Sequence, residues 1–251
     1  MSERQTPPAT EPILHAQNVD REYGSISVLE GVTLPIRADA VTALIGPNGS
    51  GKTTLLRVLA GLLEPTGGSV TYRGPDATRR IGYLPQQPAF RPGFTVRETL
   101  RFYGSLVGDD DEAPIEHLER VGLADAADRP VDALSGGMTR LVGIAQATIG
   151  DPPVVVLDEP ASGLDPGMST HVFEIATELA GTGTAVVLSS HDLELLERHA
   201  HEVAILDDGA IVDRGDPVDV RNRLELDSLR AVYEEAISGD TRTVRVQGVT
   251  T

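Results

Sequence analysis

Gly46-Pro47-Asn48-Gly49-Ser50-Gly51-Lys52-Thr53 lies between the apolar run Val41-Thr42-Ala43-Leu44-Ile45 and the segment Thr54-Leu55-Leu56-Arg57-Val58-Leu59-Ala60. The eight residues read G-x-x-x-x-G-K-T, a loop that wraps backbone N–H groups around phosphate. The preceding run reads as a buried strand, and the following segment as a helix ending at Gly61. Gly46, Gly49 and Gly51 are expected to let the backbone turn tightly and aim N–H groups inward. The helix N-terminus adds a dipole that favours anions. Asn48, Ser50 and Thr54 complete the expected phosphate-binding set, and the Thr53 hydroxyl is placed to ligate Mg²⁺. Lys52 is the one lysine among 251 residues; every other basic side chain is arginine. A compact ammonium reaches between two phosphates where arginine's planar fork would crowd the loop.

Composition narrows the partners. There are 38 acidic and 21 basic residues, a net charge of −17. That argues against general affinity for nucleic acid or an anionic membrane surface. The acids are dispersed, with Asp109-Asp110-Asp111-Glu112 the one dense run. Dispersed acidity with almost no lysine resembles the proteins of salt-accumulating archaea, so the chain is expected to be halophilic; an ordinary acidic bacterial protein from a GC-rich genome is the alternative, which accounts for arginine over lysine but less well for the size of the charge. Cysteine is absent, which excludes disulfides and thiolate chemistry. Met1–Pro12 is polar, with no apolar segment of a secretion signal. The longest apolar runs are of strand length, far below the roughly 20 residues of a membrane span. The expected location is cytoplasmic, with any membrane work done through another subunit.

The pattern along the chain is α/β. Residues 1–12 read as a flexible tail. Residues 13 to about 85 read as three strands, the phosphate loop, a helix and two short strands near Val70 and Ile81. From about 88 to 150 the texture is helical. Thr95-Val96-Arg97-Glu98 forms a capping box, a second helix starts near Pro114, and a third runs Gly136–Ile149. Residues 153–215 alternate strand and helix. Residues 216–238 read as one or two helices before a polar tail. A mostly parallel core interrupted by a helical insertion follows, with the main domain expected over 13–220 and a C-terminal helix and tail over 221–251.

Val154-Val155-Val156-Leu157 ends in Asp158-Glu159. At the C-terminal edge of a parallel sheet, Asp158 would face the phosphate loop and hold Mg²⁺, and Glu159 would polarise an attacking water. Between loop and acids stands Leu134-Ser135-Gly136-Gly137-Met138. With this segment the chain resembles the ATP-binding cassette (ABC) ATPases over residues 13 to about 220. The resemblance implies a phosphate-loop core with an antiparallel β subdomain and a helical signature subdomain, hydrolysing ATP with Mg²⁺. It also implies roles for single residues. Gln86, in Tyr83-Leu84-Pro85-Gln86, would contact Mg²⁺ and water. Asp165, in Ser162-Gly163-Leu164-Asp165, would lie at a dimer seam. His191, in Ser189-Ser190-His191, would contact the γ-phosphate, and Tyr23 would stack on adenine. Ser135, Gly136 and Gly137 would bind the ATP of a second copy, or of a related ATPase, paired head to tail.

Some positions depart from the common pattern. Met138 replaces a glutamine, Leu141 stands where arginine is common with Arg140 one place earlier, Gln146 replaces another arginine, and Ala38-Asp39-Ala40 lacks a Gly-Glu pair. Leu-Ser-Gly-Gly-Met, with Leu100–Leu106, resembles the exporter-type branch. The expected function is therefore the ATPase subunit of a separate integral-membrane permease, carried on the inner face of the cell membrane. A non-transport role in repair, translation or metalloenzyme maturation is the alternative. The repair and translation cassettes carry long coiled-coil insertions or two fused cassettes, and the segment between Gln86 and Ser135 is short.

Dispersed carboxylates repel one another at low ionic strength, whereas molar salt shortens the screening length to about 3 Å. The melting temperature is expected to rise steeply from low to molar KCl, with unfolding or aggregation below about a few hundred millimolar. An unchanged melting temperature across that range would remove the halophilic reading.

Overall fold

The computed structural model describes residues 11–110 and 112–238. The expected tails therefore fall largely outside the described residues. Two sheets organise the chain. A three-stranded antiparallel sheet has the order β2-β1-β4, formed by β1 (Leu14–Tyr23), β2 (Ile26–Ile36) and β4 (Gly67–Tyr72). A six-stranded sheet has the order β5-β6-β7-β3-β8-β9. Its strands are β3 (Val41–Ile45), β5 (Ile81–Leu84), β6 (Val154–Leu157), β7 (Ala185–Ser189), β8 (Glu202–Asp207) and β9 (Ala210–Gly215). Every pairing in it is parallel except β8 with β9.

The central strands read as unbroken apolar runs because both faces of the sheet are buried. Alternate residues feed two cores. Val41, Ala43 and Ile45 of β3, with Val155 and Leu157 of β6, face a core filled by helices. Leu44, Val154 and Val156 face a second core, built from α1 (Lys52–Leu59) and the antiparallel sheet. Phe173, on α5 (Pro166–Gly181), is the largest fully buried side chain.

Between β5 and β6 come α2 (Val96–Ser105), α3 (Ala113–Arg120) and α4 (Gly136–Thr148). The capping box forms as read. The Glu98 N–H donates to Thr95 Oγ1 at 3.2 Å, and the Thr95 N–H donates to Glu98 Oε2 at 2.8 Å. Helix α4 stops one residue short of the expected Ile149. The guanidinium of Arg79 donates to the carbonyls of Gln146 and Ile149, satisfying acceptors at the end of α4. Beyond β7 lie α6 (Leu193–His199), α7 (Pro217–Arg223) and α8 (Leu229–Ser238). Among the described residues no helix is long and apolar enough to cross a membrane.

Gly46 corrects one expectation. Its φ is not left-handed, so it does not serve a tight turn. A Cβ there would lie 2.1 Å from the Leu206 carbonyl oxygen, so glycine lets the start of the loop pass against β8.

Candidate active site

Four parallel strands end at one edge of the sheet. Each is followed by a residue expected at the site: β3 by the loop at Gly46, β5 by Gln86, β6 by Asp158 and Glu159, and β7 by His191. Parallel strands place all their C-terminal ends together, which is why segments distant in sequence meet here.

The loop turns through Gly49 and Gly51, at φ 88° and 102°, into α1. Lys52, at the start of α1, is buried. Its ammonium donates to the carbonyls of Gly46 at 2.8 Å and Pro47 at 2.9 Å. Those two bonds fix the side chain under the loop and leave a third donor for a ligand. Burial pushes its pKa below the ordinary lysine value, and Glu159 and Asp158 oppose that shift.

Asp158 is 1% exposed. Its Oδ1 accepts from Ser189 Oγ at 2.9 Å and from Thr53 Oγ1 at 3.3 Å. Its Oδ2 is buried without a hydrogen-bond partner. An orphaned carboxylate oxygen beside a threonine hydroxyl suits a hard divalent cation with oxygen ligands, so the residues fit Mg²⁺. Ser50 Oγ is likewise buried and unpartnered inside the loop.

Glu159 takes a left-handed backbone, φ 50°, which costs a non-glycine residue of order 1–3 kcal/mol. Its N–H donates to Ser189 Oγ at 2.9 Å, and its carbonyl accepts from the Ser162 N–H at 3.2 Å. These bonds hold the strained turn. The side chain is buried, with Oε1 2.9 Å from His191 Nε2. Burial raises its pKa, with His191 and Lys52 opposing, Asp158 adding to the rise and Arg140 opposing.

Val28, Asn48, Gly49, Gly51, Lys52, Thr53, Thr54, Gln86, Glu159 and His191 line one open cavity of about 370 Å³. The structure thus brings together most of the expected residues. Val28 was not expected there, and nothing in the sequence distinguishes it from any valine of an edge strand. Ser189 was also missed as a functional residue. A hydroxyl at the end of an apolar strand, two residues before His191, was its only signal.

Other expected residues lie apart from this cavity. Tyr23 is 46% exposed at the end of β1, with the Arg21 guanidinium 4.5 Å from its ring centre. Ser135 is exposed and caps α4, accepting from the Met138 N–H at 3.2 Å, with Gly136 and Gly137 in the first turn. Asp165 caps α5, accepting from the Met168 N–H at 3.1 Å.

Comparison with known proteins gives the context. The family described as ABC transporter matches residues 29–162. The Nod factor export ATP-binding protein I of Cupriavidus pinatubonensis is 36% identical over 85% of this chain and 69% of its own length. The linearmycin resistance ATP-binding protein LnrL of Bacillus subtilis is 31% identical over 86% and 73%. Among solved structures, an ATP-binding subunit of an ABC transporter superposes with a TM-score of 0.80 at 29% identity, covering 89% of this chain and 99% of that one. A dimeric bacterial ABC transporter cassette gives 0.74 at 26%, covering 81% and 98%.

The raised pKa of Glu159 has a consequence for stability. A carboxyl whose folded pKa lies above its unfolded value binds more protons when folded, so stability is lost as pH rises between the two values. Glu159→Gln removes that cost. In metal-free buffer the variant is expected to melt higher than the parent at pH 7, with the difference shrinking as pH falls into the ordinary carboxylate range. A variant that melts lower at pH 7 would show that the ionised carboxylate stabilises the fold.

Proposed function

The chain belongs to the ABC transporter family, and we propose that it binds and hydrolyses ATP to power a separate integral-membrane permease, in the export direction. The observation that carries this reading is the convergence of Lys52, Thr53, Gln86, Glu159 and His191 on one cavity, with Asp158 beneath it. Two relatives whose names specify export and resistance support the direction.

In this reading the loop from Gly46 to Thr54 cradles the phosphates, with Asn48, Gly49, Ser50 and Gly51 presenting backbone groups and α1 its N-terminal dipole. Lys52 supplies the compact positive charge between the β- and γ-phosphates. Thr53, Asp158 and Gln86 would hold Mg²⁺, which when bound would neutralise charge developing on the phosphate oxygens. Glu159 accepts hydrogen from the attacking water and orients it in line. Burial raises its pKa, which makes its carboxylate a stronger base than that of an exposed glutamate. His191, whose Nε2 lies 2.9 Å from a Glu159 Oε1 that has no hydrogen-bond partner of its own, faces the γ-phosphate. Tyr23 stacks on the adenine from the rim of the antiparallel sheet.

Ser135, Gly136 and Gly137 form an exposed helix start that does not reach the chain's own cavity. That is the arrangement needed if they close over the ATP of a second chain, with Asp165 at the seam. Two chains, or this chain and a related ATPase, then hold two ATP molecules between them. Loss of the γ-phosphate contacts lets them part. We place the assembly on the cytoplasmic face of the cell membrane, attached through the permease, with no nucleic acid involved.

Glu159→Gln keeps the shape of the site but cannot act as a base. With ATP and Mg²⁺ it is expected to elute from gel filtration as a dimer, and as a monomer with ADP. Adding Ser135→Arg should return it to monomer while leaving ATP binding nearly intact. A double variant that still dimerises with ATP would show that Ser135 is no contact to the partner's nucleotide.

A further inference from the structure

The signature helix of the chain is wired to the chain's own hydrolytic residues through one side chain. Arg140 sits in the second turn of α4, five positions after Ser135. One guanidinium nitrogen, Nη1, donates to the Gln86 carbonyl. The other, Nη2, donates to the Ser162 carbonyl at 3.2 Å. Ser162 in turn donates its N–H to the carbonyl of Glu159. Two hydrogen bonds therefore run from α4 to the left-handed backbone of Glu159, and one runs from α4 to the loop carrying Gln86. The planar fork of arginine, with its donors spread over two terminal nitrogens, can serve two backbone acceptors on different loops at once. Burial lowers the guanidinium's pKa, and the nearby Glu159 and Asp158 oppose this.

The neighbouring position explains why the arginine stands here. Leu141 is 2% exposed and packs in the helical core. A charged side chain at that point would have to leave the core, whereas position 140 faces the Gln86 and Ser162 carbonyls.

We propose that Arg140 is a positioning residue that ties the helix offered to a partner chain to the glutamine and glutamate used on the chain's own ATP. The inference rests on the roles assigned above to Ser135, Gln86 and Glu159. In a head-to-tail pair, Ser135 touches one nucleotide while Gln86 and Glu159 of the same chain act on the other. Arg140 is then the link in each chain between the two sites. When α4 seats against the partner's ATP, the clamp draws the Gln86 loop and the Glu159 turn into register. ATP binding to the phosphate loop needs no part of it.

The test compares Arg140→Met, Arg140→Lys and Glu159→Gln with the parent chain. Steady-state ATP hydrolysis is measured in Mg²⁺ and high salt, and thermal melting alongside it. Arg140→Met is expected to lower kcat by about ten- to a hundredfold, up to the ~10²-fold cost of a reacting group misplaced by roughly 1 Å. Its KM for ATP should stay within about twofold and its melting temperature close to the parent's, because α4 keeps its cap and its buried face. Arg140→Lys should recover part of kcat by reaching one carbonyl of the two. An unchanged kcat in Arg140→Met would overturn the proposal. So would kcat and KM worsening together with no recovery by lysine, since that pattern marks general damage to the site. Glu159→Gln separates the two levels. If it is silent while Arg140→Met turns over at the parental rate, only the clamp is wrong. If Glu159→Gln itself turns over at the parental rate, the assignment of Glu159 falls and the clamp with it.

Discussion

Burial of both faces of the six-stranded sheet is the constraint from which the site follows. A parallel sheet cannot leave a face in water, so each central strand is apolar throughout and its residues divide between two cores. At about 25 cal/mol per Å² of apolar surface, the two cores dominate the favourable side of folding. Apart from Thr42 within β3, polar residues of the central strands then gather at strand ends. Because β3, β5, β6 and β7 run the same way, their polar ends collect along one edge. The phosphate loop, Gln86, the Asp158–Glu159 pair and His191 are neighbours for that reason. Each occupies the first polar stretch available after a strand.

The cost of this crowding is electrostatic. Lys52, Asp158 and Glu159 are all buried. Burial works against the charged forms of Lys52 and Glu159, opposed for Lys52 by Glu159 and Asp158 and for Glu159 by His191, Lys52 and Arg140. Ser189 has an outsized part here. One hydroxyl accepts from the Glu159 N–H and donates to Asp158 Oδ1, fixing both acids relative to β7. The left-handed turn at Glu159 is held from three sides, by Ser189, by Ser162 and, through Ser162, by Arg140. Strain stored at such a position persists only where the surroundings over-determine it.

Much of this was legible in the sequence, and the exceptions have physical causes. The strands at Val41–Ile45 and Val154–Leu157 could be read because double burial leaves an unbroken apolar run. The capping box at Thr95 could be read because its chemistry is local. The chemistry-bearing residues stood beside short motifs, so Lys52, Asp158, Glu159, Gln86 and His191 could be named and are brought to one edge. The role of Gly46 could not be read, since it depends on how closely the loop passes Leu206 on a strand far along the chain. Ser189 and Arg140 act through backbone carbonyls, N–H groups and a neighbouring acid that come near only in the fold. Arg140 was visible as a displaced arginine beside Leu141, but its two acceptors lie 54 and 22 residues away in the chain. Tyr23 was named only through the family resemblance, and it ends on the rim of the antiparallel sheet, outside the cavity.

Central to the site is Lys52 as a compact point charge held by two backbone carbonyls. Steady-state ATP hydrolysis of Lys52→Arg, measured beside Lys52→Ala and the parent chain, tests this directly. The arginine variant keeps the charge but brings a planar fork into a loop whose carbonyls are spaced for an ammonium. It is expected to be as inactive as the alanine variant. Turnover by Lys52→Arg close to that of the parent chain would contradict the account.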